Sequence, residues 1–188
     1  MKIYYNKREN MRLFVCVWVP DTLRKKIEDF QQKMNPLPMK AKFVEISNLH
    51  FTITFLGEIS DEKLPDLKNR LDASVKNIEK FNVKIEELKV IPSNNYIRVI
   101  GLKVKDGEKI ANLIKSVGES IGGKYYLEQK ITLCRVKKVL DKKELQKFTE
   151  TNKNIKIGEF QVDAISLVRS KLTRSGPIYE TVHNSYLK

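Results

Sequence analysis

Two short stretches of the chain each place a basic group two residues ahead of a threonine in an otherwise apolar run. They are His50-Phe51-Thr52-Ile53-Thr54-Phe55 and Lys130-Ile131-Thr132-Leu133-Cys134-Arg135. Alternate residues of an extended strand share a face. The first stretch should therefore show His50, Thr52 and Thr54 on one side and Phe51, Ile53 and Phe55 on the other. In the second, Lys130, Thr132 and Cys134 should share a face, backed by Ile131 and Leu133. A row of imidazole or ammonium and hydroxyl groups suits an oxyanion. Strict alternation turns Arg135 away from that face, and it reaches in only where the strand bends or ends. The two stretches begin 80 residues apart. On spacing alone, two solvated sheet faces remain the simpler reading, because the pattern occurs in many strands.

Other chemistry-bearing residues are few. His183, in TVHNSYLK, reads as a surface residue on or after the last strand. Cys16 and Cys134 are flanked by apolar residues and read as small core or cleft-wall groups. No cluster of Cys, His and carboxylates has metal-ligand spacing, so no metal or cofactor is expected. Gly122-Gly123 lacks the rest of a phosphate-loop or dinucleotide fingerprint. Trp18 is expected in the core, and Tyr125-Tyr126 either stack on a base or simply pack.

The elements that would carry these residues follow from periodicity. Leu13 to Val19 reads as a buried central strand ended by Pro20. Asp21 is placed to cap a helix bearing Leu23, Ile27, Phe30 and Met34, stopped by Pro36 and Pro38. Strands are expected at Lys42 to Ile46 and Leu49 to Leu56, joined by a turn at Ser47-Asn48. A helix from about Asp61 carries Leu64, Leu67, Leu71, Val75 and Ile78. Strands at Phe81 to Ile91 and Tyr96 to Val104 precede a helix from Gly107 to Gly122-Gly123. Then come a strand from Lys130 to Val136, a helix from Asp141 to Thr149 and one strand from Glu159 to Val168. A turn at Arg174 to Pro177 leads into the last strand. Single helices between hairpin-linked strands mean α+β with largely antiparallel sheets.

Composition bounds the rest. The chain has 188 residues, 41% of them hydrophobic, enough for one packed domain without metal or disulfide. Residues 1–10 read as a polar tail without function and 11–188 as the domain. No run approaches the ~20 apolar residues of a membrane span, and the start lacks the apolar stretch of a secretory signal. Two cysteines give no disulfide framework, which favours a reducing, cytoplasmic setting. The net charge of +13 favours polyanionic partners such as nucleic acid.

Several segments together resemble the 2′-5′ RNA ligase family of two-histidine phosphoesterases, also described as RNA 2′,3′-cyclic phosphodiesterases. They are Met11 to Pro20, LHFTITFLGEI, ITLCRVKK, GEFQVDAISLVRSKL and SGPIYE. The resemblance implies a bilobal α+β fold with two pseudo-symmetric antiparallel sheets lining a central cleft and helices packed outside. Each sheet would supply one motif. It also implies metal-independent hydrolysis of 2′,3′-cyclic phosphate RNA ends, tRNA halves among them, to 2′-phosphomonoesters; a monomer is expected. By resemblance His50 is the general acid, Thr52 and Thr132 bind phosphate oxygens, and Arg135 contacts phosphate or substrate.

Position 130 departs from the family pattern, which has its second histidine there. A free lysine, pKa ~10.4, is almost fully protonated at neutral pH, so Lys130 reads as a cation on the phosphate more than as a base. Three outcomes stay open: Lys130 acts as the base with a lowered pKa, the enzyme is slow, or the cleft only binds RNA ends or nucleotides. ATP-independent 2′-5′ ligation, the reverse chemistry, is a further alternative.

Overall fold

In the computed structural model, residues 10–106, 108–174 and 176–188 are described. The expected tail thus lies outside the described residues except for Asn10, which opens the first strand and pairs with Ser60. Strand β1 (Asn10–Trp18) runs between β3 (His50–Ser60) and β8 (Ala164–Leu172), and β9 (Pro177–Tyr186) pairs with β8. All pairs are antiparallel, giving the order β3-β1-β8-β9. A strand flanked on both edges and buried on both faces needs an unbroken apolar sequence; Val15 and Cys16 are fully buried.

The second sheet is also antiparallel, with the order β2-β6-β5-β4-β7. Its strands are β2 (Met39–Phe43), β4 (Phe81–Ser93), β5 (Tyr96–Lys105), β6 (Lys130–Val139) and β7 (Lys156–Val162). The one strand expected over Glu159 to Val168 is two. The chain breaks at Asp163, so β7 pairs with β4 of one sheet and β8 with β1 of the other. The strand expected at Lys42 to Ile46 lies earlier, as β2, and Ile46–Asn48 forms a 3-10 turn leading directly into His50.

Helix α1 (Asp21–Met34) covers the five-stranded sheet. Its Phe30 stacks on Phe148 of α4 (Lys142–Thr151), with ring centroids 5.9 Å apart. Pro20 takes the N-cap position and Asp21 begins the helix, where it pairs with Arg24 at 2.6 Å. Helices α2 (Leu64–Val75) and α3 (Lys109–Ile121) pack together against β9 and β3. The expected start of α3, Gly107, lies outside the described residues. Each sheet therefore has its own pair of helices, and the cleft lies between the sheets, as the family resemblance implied. No helix among the described residues is long and apolar enough to cross a membrane.

Candidate active site

The two motif strands share one irregularity. Along β1, Cys16 pairs with Thr52 and Val15 with Thr54, so Ile53 is skipped. Along β5, Gly101 pairs with Thr132 and Ile100 with Cys134, so Leu133 is skipped. Each is a bulge one residue after the motif threonine, and a bulge inverts the alternation beyond it. Thr54 and Cys134 consequently turn inward and are fully buried. The expected row of His50, Thr52 and Thr54 is therefore cut to two, and Thr54 Oγ1 donates to the Gly122 carbonyl at 3.1 Å. Cys134 likewise leaves the face shared by Lys130 and Thr132. In their place Phe55 and Arg135 turn toward the cleft. The bend required for Arg135 to reach in is this bulge.

The result is one cavity of about 640 Å³ whose lining includes His50, Thr52, Lys130, Thr132 and Arg135 together. Five residues named from sequence, drawn from strands of different sheets, thus meet at one hollow.

Their mutual placement is braced crosswise. The segment before β3 supplies β2, which pairs with β6, the other motif strand. The segment before β6 supplies Lys124, which bridges to Phe55 of β3 through hydrogen bonds of 2.8 and 2.9 Å. Each motif strand is thus edged by the lead-in of the other. Gly123 makes this crossing possible: its φ is +101°, and a Cβ there would lie 2.4 Å from Thr54 Oγ1.

At the far side Gln31 of α1, 7% exposed, donates from Nε2 to the carbonyl of bulged Leu133 at 2.9 Å and to that of Val44 at 3.0 Å. Sequence reasoning missed Gln31, although an amide four residues after Ile27 on an apolar stripe was a legible signal.

His50 is held by its surroundings. Nδ1 lies 2.7 Å from the Asn48 carbonyl, which can only accept, so Nδ1 carries a proton and Nε2 is the atom left for the cavity. Phe14, Trp18 and Tyr179 surround the imidazole with centroids 5.2, 5.5 and 5.5 Å away. Burial lowers its pKa below 6.5, opposed by the Asn48 hydrogen bond and reinforced by the Arg135 charge. Trp18, expected in the core, is half-buried against this ring. Phe14 and Tyr179 are site residues that alternation on the apolar β1 run and the SGPIYE segment did not single out.

Lys130 is half-buried, and its pKa is lowered from 10.5, by burial first and then by the neighbouring Lys89 and Arg135 charges, against Glu128 and Tyr126. The cavity lining carries Arg12, Lys42, Lys124, Lys130 and Arg135 against Glu45 and Glu128. Glu128 is itself paired with Lys89. The surplus is positive, fitting a phosphate.

Tyr125 and Tyr126 are exposed and line the same cavity. His183 does not line it; its Nε2 lies 2.8 Å from Asp72 of α2, which also accepts from Ser185 at 2.6 Å. Both cysteines are buried and unpaired; burial pushes Cys134 up to about 12 and Cys16 well above the usual thiol range. Among the described residues no group of His, Cys and carboxylates could hold a metal ion.

Residues 17–101 match the family model described as LigT like phosphoesterase. An RNA 2′,3′-cyclic phosphodiesterase of Methanocaldococcus jannaschii is 34% identical over 178 residues, covering 92% of this chain and 98% of the relative. One from Aquifex aeolicus is 31% identical over 94% and 97%. The crystal structure of TT0787 of Thermus thermophilus superposes with a TM-score of 0.76 at 26% identity, covering 94% and 98%. With relatives this similar over nearly their whole length, and with both motif strands placed on one cavity, the chain belongs to the LigT-like phosphoesterases, the family of those RNA 2′,3′-cyclic phosphodiesterases.

Proposed function

We propose that this phosphoesterase opens 2′,3′-cyclic phosphates at RNA ends to 2′-phosphomonoesters, with His50 and Lys130 as its acid–base pair. The observation that carries this reading is the single cavity shared by His50, Thr52, Lys130, Thr132 and Arg135. The Thr52 and Thr132 hydroxyls and the Arg135 guanidinium are suited to the nonbridging oxygens, where negative charge builds as the phosphorus becomes five-coordinate. Two buried thiols fit a reducing compartment such as the cytoplasm.

Protonation states favour dividing the roles differently from the family assignment. Water must lose a proton to one group, and the departing O3′ must gain one from another. If His50 were the acid and Lys130 the base, the competent form would need the proton on the weaker base. With ordinary values near 6.5 and 10.4, only about one molecule in 10⁴ holds it there. The opposite arrangement is the predominant form at neutral pH. His50 Nε2, unprotonated because Nδ1 serves Asn48, takes the proton of the attacking water. Water oxygen bonds to phosphorus, the P–O3′ bond breaks, and the Lys130 ammonium protonates O3′. The proton then returns from His50 to Lys130, a downhill transfer. Lys130 thereby supplies both the cation and the acid.

The test is incubation of the purified protein with an oligonucleotide ending in a 2′,3′-cyclic phosphate. The reading expects a 2′-phosphate product that disappears in His50→Ala. Binding without turnover, with turnover appearing in Lys130→His, would refute it in favour of an RNA-end binder.

A further inference from the structure

The β2/β6 edge of the cleft carries a charge pattern that the fold itself does not want. Lys42 stands directly opposite Arg135, and Lys40 directly opposite Lys138. Cross-strand partners point to the same face, so two like-charged pairs lie on one face, separated by Ala41 and Val136 and by a bulge at Lys137, and like charges directly opposite destabilise a ladder. Ala41 and Val136 between them turn to the apolar side, where Val136 is 5% exposed. Among the described residues, no carboxylate lies within ion-pair distance of Lys40, Lys138 or Arg135.

The ladder is continuous with the site, since Lys42 and Arg135 line the cavity. Lys40 is two strand residues farther out, about 6.8 Å, comparable with the spacing of phosphates along an extended strand.

We infer that the cationic ladder of β2 and β6 is the track for the RNA body, holding the backbone phosphates 5′ of the cyclic end. The protein is then a reader of chain ends, more efficient on an RNA strand than on a free cyclic nucleotide. This deepens the proposed function and rests on it for the identity of the strand.

The test combines a binding measurement that needs no turnover with a rate that needs no track. Binding of a 5′-labelled decanucleotide ending in a 3′-phosphate is followed by fluorescence anisotropy across a salt series. In the double variant Lys40→Glu/Lys138→Glu the affinity should fall roughly tenfold. Two lost phosphate contacts should also flatten the log–log salt slope by about 1.4. Hydrolysis of a nucleoside 2′,3′-cyclic phosphate should match wild type. Lys63→Glu/Lys76→Glu, at the exposed ends of α2, changes net charge equally and should bind like wild type. An unchanged slope in the ladder variant, or an equal loss in the α2 variant, overturns the track. Absence of cyclic phosphate hydrolysis in wild type sinks the hydrolase reading instead, and the anisotropy series still decides whether the ladder holds RNA.

Discussion

Replacing Gln31 with methionine tests whether the bulge that aims Arg135 is held from behind. Methionine nearly matches glutamine in volume, so the cavity contribution is small and the lost amide dominates. Two hydrogen bonds disappear, of 2.9 Å to Leu133 and 3.0 Å to Val44. The Leu133 carbonyl keeps a second donor, the Val44 N–H at 2.8 Å, so its loss is that of one shared bond, about 1 kcal/mol. The Val44 carbonyl loses the Gln31 amide as its donor, at about 1–3 kcal/mol. Together Gln31→Met should cost about 2–4 kcal/mol. With an m-value near ~2 kcal/mol/M, the urea midpoint should fall by about 1–2 M. Because Thr132 and Arg135 flank the bulge, kcat/KM on a cyclic-ended oligonucleotide should also fall, by about tenfold, under conditions where the variant is fully folded. A midpoint within ~0.3 M of wild type together with unchanged kinetics would refute the claim that Gln31 sets the bulge.

Three further outcomes follow from the same geometry. Gly101→Ala places a Cβ 2.6 Å from the Ile131 carbonyl oxygen, backbone that cannot step aside without moving β6. It should lower stability by roughly 1–3 kcal/mol and lower kcat, as thermal melts and kinetics will show. Lys130→Ala should reduce kcat/KM by about 10²–10⁴ while leaving the melting temperature near wild type; equal rates would remove Lys130 from the site. Asp72→Ala, which removes the acceptor of both His183 and Ser185, should loosen α2 from β9 and lower the melting temperature without changing kinetics. A change in kcat would contradict the separation of His183 from the cavity.

Much of this architecture was legible in sequence because burial imposes period. The apolar run after Met11 could only be a strand covered on both sides, and the stripes of α2 and α3 could only face a sheet. His50, Thr52, Lys130 and Thr132 were placed on one face by alternation, and that part of the pleat is regular. The bulges were not legible. Ile53 and Leu133 are ordinary strand residues, and only the register of β1 and β5 decides that each is passed over. The displacement at Ile53 buried Thr54 and exposed Phe55 to the cleft, and the one at Leu133 brought Arg135 in. The break at Asp163 was hidden for a similar reason, since no glycine or proline marks it and the switch of sheets is set by distant partners. The aromatic surround of His50 escaped because Phe14 and Trp18 fit a core strand equally well; only the fold shows that their side of β1 ends at an imidazole.

The central claim is that His50 accepts a proton while Lys130 donates one. The wild-type pH profile cannot assign these roles, because a pair gives the same bell whichever member holds the proton. The profile of Lys130→Ala can, since it leaves His50 titrating alone. If His50 is the base, the residual kcat/KM of this variant rises with pH through a pKa below 6.5 and stays level into the alkaline range. A residual rate that instead falls as pH rises through that pKa means His50 works protonated, and the proposed division of roles is wrong.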